Sequence, residues 1–268
     1  MSAPIAPRTV VEAFLPAAGA VALGDIYDAA TAAGIADQPV RLAIRRLIAA
    51  GEIVQHGRGR AGTLSLTSAG RRRLRRDRHS LALAFAQDAG DTRWDGRWRL
   101  VAVSVPERER AVRDRVRREL ADLGAAAIST GLYVSPHELR DALPAPATPY
   151  LACATSDDLD LHGTTDPPAI AEALWPGAPI VAAYQLVTDV LRADAADPAT
   201  SDLVRQLRLA DALERAMRDD PLLPPQLRDE TWPPTAIRAA WARRWAALPE
   251  TGVYLGWWPP AAPGAPGV

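Results

Sequence analysis

The stretch of residues 37–67, DQPVRLAIRRLIAAGEIVQHGRGRAGTLSLT, limits the possible fold more than any other part of the chain. Asp37 is a favoured helix N-cap residue, Pro39 suits a first helical turn, and Gly51 can adopt the left-handed conformation that ends a helix. These signals predict a helix from Asp37 to Ala50. The residues after Gly51 form two β-prone runs around a glycine- and arginine-rich tip, which predicts a hairpin of two strands: Ile53–His56 and Thr63–Leu66.

The predicted helix has one apolar and one polar face. At 100° per residue, one sector collects apolar side chains that we expect to be buried: Val40, Ala43, Ile44, Leu47 and Ile48. Apart from Ala49, the other side carries residues that suit a DNA major groove: Gln38, Arg41, Leu42, Arg45 and Arg46. Arginine pairs with guanine, glutamine with adenine, and an apolar side chain can meet a thymine methyl group. A solvated amphipathic helix explains the same pattern, so the helix alone leaves both interpretations open.

The neighbouring elements favour the DNA-binding interpretation. A short helix over residues 9–15, a short strand over 20–23 and a second helix over 26–33 precede the stretch, and a glycine-containing turn joins that helix to it. Helix, strand, helix, turn, helix and hairpin is the order of a winged helix-turn-helix unit.

A basic run, RRRLRRDRH at residues 71–79, follows the hairpin on a helix that we expect Thr67 to cap. Its six arginines could contact DNA backbone, which would add salt-dependent affinity rather than sequence specificity. A solvated connector helix is the alternative.

The charge of the chain is unevenly distributed. Residues 1–80 contain twelve arginines and six acidic residues, a net charge of +6, whereas the other 188 residues contain nineteen arginines and twenty-six acidic residues, a net charge of −7. A basic N-terminal third on an acidic body is expected of a DNA-binding domain attached to a sensing or pairing domain. Every basic residue is arginine, which GC-rich codon usage would also produce, so this preference carries no argument.

The rest of the chain predicts two further domains. After the polar segment DAGDTR, strand, helix and strand patterns indicate a small ferredoxin-like α+β domain. Its strands are expected at 97–105, 125–130, 132–135 and 150–155, with a weaker one at 159–162. Four helices are expected beyond it, at 169–174, 180–193, 202–218 and 235–248. We therefore predict an α+β multidomain protein: a winged helix-turn-helix domain at 9–88, a ferredoxin-like central domain at 94–165, a C-terminal helical domain at 166–250 and a mostly disordered tail at 251–268.

Several functional classes are not indicated. The single Cys153 cannot form a disulfide within the chain, no apolar run reaches about 18 residues, and no signal pattern opens the chain, so a cytoplasmic protein is expected. The four histidines lack zinc-site spacing, the Asp157–Asp160 cluster lacks calcium-loop spacing, and no phosphate-binding or nucleophile motif occurs. We expect no catalytic residues, metal or cofactor.

Four stretches together resemble the PaaX family of bacterial transcriptional repressors, which control phenylacetate catabolism. They are residues 40–53 with the hairpin at 59–74, WDGRWRLVAVSVPE at 94–107 with GLYVSP at 131–136, LWPGAPIVAAYQ at 174–185, and DDPLLPPQLRDETWP at 219–233. Each stretch alone is weak, and their order and spacing carry the resemblance.

The resemblance implies a homodimeric repressor that binds a double-stranded DNA operator and is released by an acyl-coenzyme A effector. It implies DNA contacts from Gln38 to Arg46, and from Arg58 and Arg60 of the hairpin. It also implies a central domain similar to a CRISPR-associated nuclease fold. Those nucleases carry an acidic metal ligand near the end of the first strand, but here Glu107 already lies in the following helix, where an acidic residue is favoured by the helix dipole.

Three alternatives remain open at this point. The chain could be a non-specific nucleic-acid-binding or assembly protein with a metal-dependent nuclease-like central domain. It could be an activator instead of a repressor, because sequence does not give the sign of regulation. Trp94 and Trp98 could line an effector pocket, although buried tryptophans more often belong to the core.

Overall fold

The computed structural model describes residues 4–140, 143 and 145–249. By their contacts, these residues form two compact units. Among the described residues, the first unit consists of 4–85, Tyr184–Ala216 and 234–249, and the second consists of those within Ala86–Ala183 and Met217–Pro233.

The helices of the described chain, in order, are α1 Pro7–Ala13, α2 Leu23–Ala32, α3 Asp37–Ala49, α4 Ser68–Ala89, α5 Arg110–Asp122, α6 Pro167–Leu174, α7 Gly177–Ala183, α8 Gln185–Ala196, α9 Asp202–Met217 and α10 Pro233–Ala246. The strands are β1 Val21–Ala22, β2 Ile53–His56, β3 Thr63–Leu66, β4 Trp98–Val103, β5 Ala126–Ser129, β6 Leu132–Ser135 and β7 Leu151–Ser156. None of these helices is both long and apolar enough to cross a lipid bilayer.

The N-terminal part of the first unit has three helices and a small antiparallel sheet with strand order β1-β3-β2. The hairpin strands β2 and β3 have the predicted bounds, with Ile53 opposite Leu66 and Val21 of β1 opposite Leu64. Helices α1, α2 and α3 pack on one another through their apolar faces. The predicted order of helix, strand, helix, helix and hairpin is therefore present.

The ends of α3 follow from local signals, with one correction. Gly51 has a φ of +71°, the left-handed conformation expected after the last turn. The prediction that Asp37 is the N-cap is wrong, because Ala36 holds that position and Asp37 is the first helical residue. An acidic residue in the first helical turn is still favoured by the helix dipole, and the Asp37 carboxylate also accepts a hydrogen bond from Arg41 at 3.1 Å.

The second unit contains a four-stranded antiparallel sheet of order β5-β6-β4-β7. This order, with α5 as the first crossover, is a ferredoxin-like topology. Between β6 and β7 the described residues contain the short 3-10 helix Ala145–Tyr150 and no α-helix. Buried residues on one sheet face pack with α5, among them Val101, Val116, Leu120 and Tyr133. A second cluster joins the sheet to α6 and to the segment at 219–233. It includes Trp98, Val134, Ile170, Leu223 and Leu227.

Two element predictions in the later part of the chain are wrong. The segment 159–162 is not a strand, because Leu161 and Thr164 form only an isolated bridge around a turn that includes Gly163 at φ +88°. The helix predicted over 180–193 is divided into α7 and α8, with Tyr184 between them.

The division into three consecutive domains stays a prediction. Each of the two compact units combines segments that are far apart in the sequence. In the first unit the Asp211 carboxylate of α9 accepts hydrogen bonds from the Ala6 amide and the Thr9 hydroxyl, both at 2.9 Å. Helix α9 buries side chains around most of its circumference. The predicted tail at 251–268 lies outside the described residues.

Candidate nucleic-acid interface

The outer face of α3 is exposed as its periodicity predicts. Val40, Ala43, Ile44 and Leu47 are buried, whereas the residues proposed for the groove are all exposed: Gln38, Arg41, Leu42, Arg45 and Arg46. Leu42 is 40% exposed, which is unusual for a large apolar side chain. The prediction that Ile48 is buried is wrong, since it is 39% exposed. Ile48 lies about 80° from Val40 around the helix, at the edge of the buried sector.

The three arginines of this face differ in their surroundings. The Arg41 guanidinium donates to Asp37 at 3.1 Å and lies 5.9 Å from the centre of the Tyr27 ring. The guanidinium groups of Arg45 and Arg46 make no hydrogen bond or ion pair within the part of the chain that the structure describes. Their guanidinium groups therefore point into solvent with their donors available to a ligand.

The hairpin tip carries the other two candidate residues. Gly57 and Gly59 have φ values of +74° and +62°, so glycine allows the sharp turn between β2 and β3. Arg58 is exposed and, among the described residues, has no hydrogen-bond partner. Arg60 instead turns towards α2, where it donates to the Asp28 carboxylate and, at 3.4 Å, to the Gly24 carbonyl.

The basic run of α4 divides into two groups. Thr67 caps the helix as predicted, since its hydroxyl accepts from the Gly70 amide at 3.0 Å. Arg71 donates to the Leu66 carbonyl at 2.7 Å, and Arg73 lies among acidic side chains. The remaining arginines are exposed and are unpaired within the described chain: Arg72, Arg75, Arg76 and Arg78.

Arg73 is the centre of an ion cluster that joins α1, the turn after α3, and α4. Its guanidinium contacts Glu12 at 2.5 Å, Glu52 at 2.9 Å and Asp77 at 2.6 Å. Arg8 also contacts Glu12, at 2.8 Å. Burial raises the pKa of the Glu12 carboxyl to about 7, against the opposing attraction of the two arginines. The sequence carries no local signal for this cluster, because its members are spread over α1, α4 and the residue after Gly51.

The second unit contains the residues of a possible metal-dependent nuclease site. Glu107 is held by Arg113 at 2.5 Å, an ion pair that lowers the pKa of the Glu107 carboxyl. Among the described residues, no group of three His, Cys, Asp or Glu side chains is arranged to hold a metal ion.

The two tryptophans proposed for an effector pocket belong to a packed cluster. Trp98 is 2% exposed and contacts Trp94 edge-on, with 5.0 Å between ring centres. A cavity of about 280 Å³ in this unit is lined by other residues, which include Arg99, Glu138, Arg140, Cys153 and Thr155. The structure therefore supports the core interpretation for Trp98.

The topology of the second unit defines it as a small ferredoxin-like domain. Residues 91–156 match the family model of the PaaX protein central Cas2-like domain. The chain thus carries the central domain of the PaaX family, and the resemblance to that family is confirmed. Proteins of this family are transcriptional regulators rather than enzymes.

A solved structure has a similar fold over most of the chain. It is titled uncharacterized protein Rv0674 from Mycobacterium tuberculosis, and it matches with a TM-score of 0.52 and 22% sequence identity, covering 91% of this chain and 96% of that chain. At this identity the likeness concerns the fold alone. No curated protein matches the chain at a significant level.

Proposed function

We propose that the chain is a sequence-specific DNA-binding transcriptional regulator, and that α3 is its recognition helix. The observation that carries this proposal is the exposed face of α3, where Gln38, Leu42, Arg45 and Arg46 stand side by side. Arg45 and Arg46 lack partners within the described residues. A helix face with available guanidinium donors is suited to binding DNA, which offers both phosphates and base edges as acceptors.

The local architecture supports the same assignment. α2 ends at Ala32, and the turn to α3 contains Gly34 at φ +74°. α3 has 13 residues, and a helix of this size is about 20 Å long, which suits insertion into a major groove. The hairpin β2–β3 follows at once, as the wing does in winged helix-turn-helix domains.

The proposed roles of the candidate residues differ. Arg45, Arg46 and Gln38 are proposed to contact base edges, and Leu42 a thymine methyl group. Arg58 is proposed to contact backbone or the adjacent minor groove from the hairpin tip. Arg41 joins them when phosphate or guanine replaces the Asp37 carboxylate as its partner.

Regulation is proposed by analogy with the family and rests on no contact in the structure. The chain would act in the cytoplasm as a homodimeric repressor on a pseudo-palindromic operator. A small effector such as an aryl-acyl-coenzyme A thioester would bind better to a dimer whose two α3 helices no longer match the half-sites. Only such a difference in affinity between the two states can release the DNA.

The central test is the substitution Arg45→Ala in the full chain. Operator fragments are first selected from genomic DNA with the unmodified protein, and affinities are then measured by gel shift. Loss of one bidentate base contact should weaken operator binding about 5- to 150-fold. Arg117→Ala, an exposed arginine of α5, is the matched control and should bind as the unmodified chain does. Unchanged affinity in Arg45→Ala would count against this face of α3.

The Cas2-like match favours one second candidate, a metal-dependent nuclease activity of the second unit. Cleavage of DNA or RNA that requires a divalent metal and disappears in Glu107→Ala would support it. Cleavage that is absent in the unmodified chain, or that persists in Glu107→Ala, would exclude a role for this residue.

A further inference from the structure

Two of the candidate DNA-binding arginines are already bound by carboxylates of the same unit. Arg60 of the hairpin tip pairs with Asp28 of α2, 32 residues earlier in the chain. Arg41 pairs with Asp37 one helical turn before it, at 3.1 Å. Arg45, Arg46 and Arg58 have no such partner among the described residues.

Both pairs lie in solvent. The Asp28 and Arg60 side chains are 71% and 58% exposed, and the Asp37 and Arg41 side chains are 49% and 64% exposed. Neither pair compensates a buried charge, so neither is needed to satisfy the interior of the unit.

The Asp28–Arg60 pair is also not needed to hold the hairpin in place. The hairpin is fixed by the pairing of β3 with both β1 and β2. Its tip is joined to the start of α2 by a backbone hydrogen bond of 2.8 Å from the Leu23 amide to the Gly62 carbonyl. The carboxylate of Asp28 therefore adds little to a position that the backbone already sets.

A carboxylate and a DNA phosphate compete for the same guanidinium donors. A phosphate that binds the Arg60 Nη2 group must displace Asp28, which that group now contacts. A phosphate that binds the other guanidinium donors still meets the Asp28 carboxylate, which repels the DNA backbone over a distance of about 8 Å at physiological ionic strength. An exposed ion pair of this kind changes an equilibrium constant by about 1.5- to 5-fold. This cost applies to every complex in which Arg60 leaves Asp28 to contact DNA.

We propose that Asp28, assisted by Asp37, is an autoinhibitory residue that occupies Arg60 and Arg41 in the free protein and weakens the binding of this surface to DNA. On the operator, base contacts from Arg45 and Arg46 offset the cost of breaking the pairs. On other DNA no such contacts exist, and the arginines stay with their carboxylates. This inference rests on the proposed function, because it concerns the same surface and the same ligand.

The test compares Asp28→Asn with the unmodified full chain on two probes, a random-sequence duplex and the selected operator duplex. Affinity for the random duplex should rise about 1.5- to 5-fold. The fall of log K with log salt concentration should steepen by up to about one, as for one added phosphate contact. Operator affinity should rise by at least the same factor, because the operator complex is the one in which the pair has to be broken.

Matched variants distinguish the loss of the Asp28–Arg60 ion pair from the loss of one negative charge on the surface. Asp25→Asn removes another exposed carboxylate of α2, one without a hydrogen-bond partner in the described chain. It should raise affinity for the random duplex less than Asp28→Asn does and leave the salt dependence nearly unchanged. Asp28→Glu can still pair with Arg60 and should keep the original salt dependence. In an Arg60→Ala background, Asp28→Asn should no longer steepen the salt dependence.

Two results would overturn the inference. Unchanged or weaker binding of Asp28→Asn to the random duplex, with an unchanged unfolding temperature, would mean that Asp28 does not withhold Arg60 from DNA. Equal steepening in the Arg60→Ala background would mean that Asp28 does not act through Arg60. Both results are measured on the random duplex and do not require a specific operator. If the unmodified chain binds the operator no better than the random duplex, the proposed function is rejected, whatever the result for Asp28.

Discussion

Arg73 shows how far the role of a residue can depart from its place in a sequence pattern. It lies within the run RRRLRRDRH, and the sequence gives no reason to distinguish its arginines as candidates for contact with the DNA backbone. In the structure it is directed towards α1, where it contacts Glu12, Glu52 and Asp77. Its side chain is 23% exposed, so little of it is available to a ligand. Only contacts between distant segments separate it from Arg72 and Arg75.

Glu12, within this cluster, makes stability depend on pH. The pKa of the folded carboxyl is raised from 4.5 to about 7 by burial, so between these values the folded chain holds a proton that the unfolded chain has lost. Its contribution to stability is therefore fully present below pH 4.5 and is lost as pH rises through about 7. Two to three pKa units correspond to a decrease on the order of 3 kcal/mol.

The corresponding prediction concerns Glu12→Gln, which cannot titrate. The free energy of unfolding, measured by urea denaturation at a series of pH values, should fall between pH 4.5 and 7 in the unmodified chain and fall much less in Glu12→Gln. Glu230→Gln, an exposed control, should keep the full dependence. If the free energy of unfolding of Glu12→Gln decreased equally over this pH range, the pH dependence would belong to other titratable groups.

At the scale of elements, local signals predicted the bounds of α3, β2 and β3 within a residue. Gly51 at φ +71°, the hydrophobic period of α3 and the glycine-rich tip are each contained in a few consecutive residues. The exposed face of α3 followed from the same period. The Asp28–Arg60 pair did not, because it depends on how the hairpin tip meets α2. The division of α7 from α8 was also missed, since their apolar residues continue one helical period.

The start of α4 offers a test at this scale. Gly70 lies in the first turn, and a Cβ atom built on it would stand 2.0 Å from the Glu52 carbonyl oxygen. Gly70→Ala should raise helix propensity by about 1 kcal/mol, but the backbone clash forces α4 away from the turn after α3. A net loss on the order of 1–3 kcal/mol is expected.

Thermal and urea unfolding of Gly70→Ala measure this loss, with Ser80→Ala on the same helix as the control. Ser80 is partly exposed and its replacement by alanine should change the free energy of unfolding by less than about 0.5 kcal/mol. Stabilisation by Gly70→Ala would show that α4 does not pack closely on the turn.

At the scale of the whole molecule, the sequence does not show which segments fold together. Its patterns separate basic from acidic regions and strands from helices, and the central domain was recognised from them. They do not show that α8, α9 and α10 belong to a unit with α1. That grouping depends on contacts such as the one between Thr9 and Asp211, which are 202 residues apart. An apolar pattern predicts which face of an element is buried but not which other element covers that face.

The Asp211 carboxylate gives the last prediction, because it joins the two ends of the first unit. It accepts from the Ala6 amide and the Thr9 hydroxyl at 2.9 Å and contacts Arg215 at 3.0 Å. Asp211→Ala leaves the buried Thr9 hydroxyl and the partly buried Ala6 amide with fewer acceptors, and a loss of about 1–3 kcal/mol is expected. Amide hydrogen exchange should accelerate throughout α1, whereas the β4 amides of the second unit should keep their protection. Asp219→Ala, an exposed aspartate, is the control. If α1 kept its protection in Asp211→Ala while the unfolding free energy stayed unchanged, the two ends of the first unit would have to be held together by their apolar contacts alone.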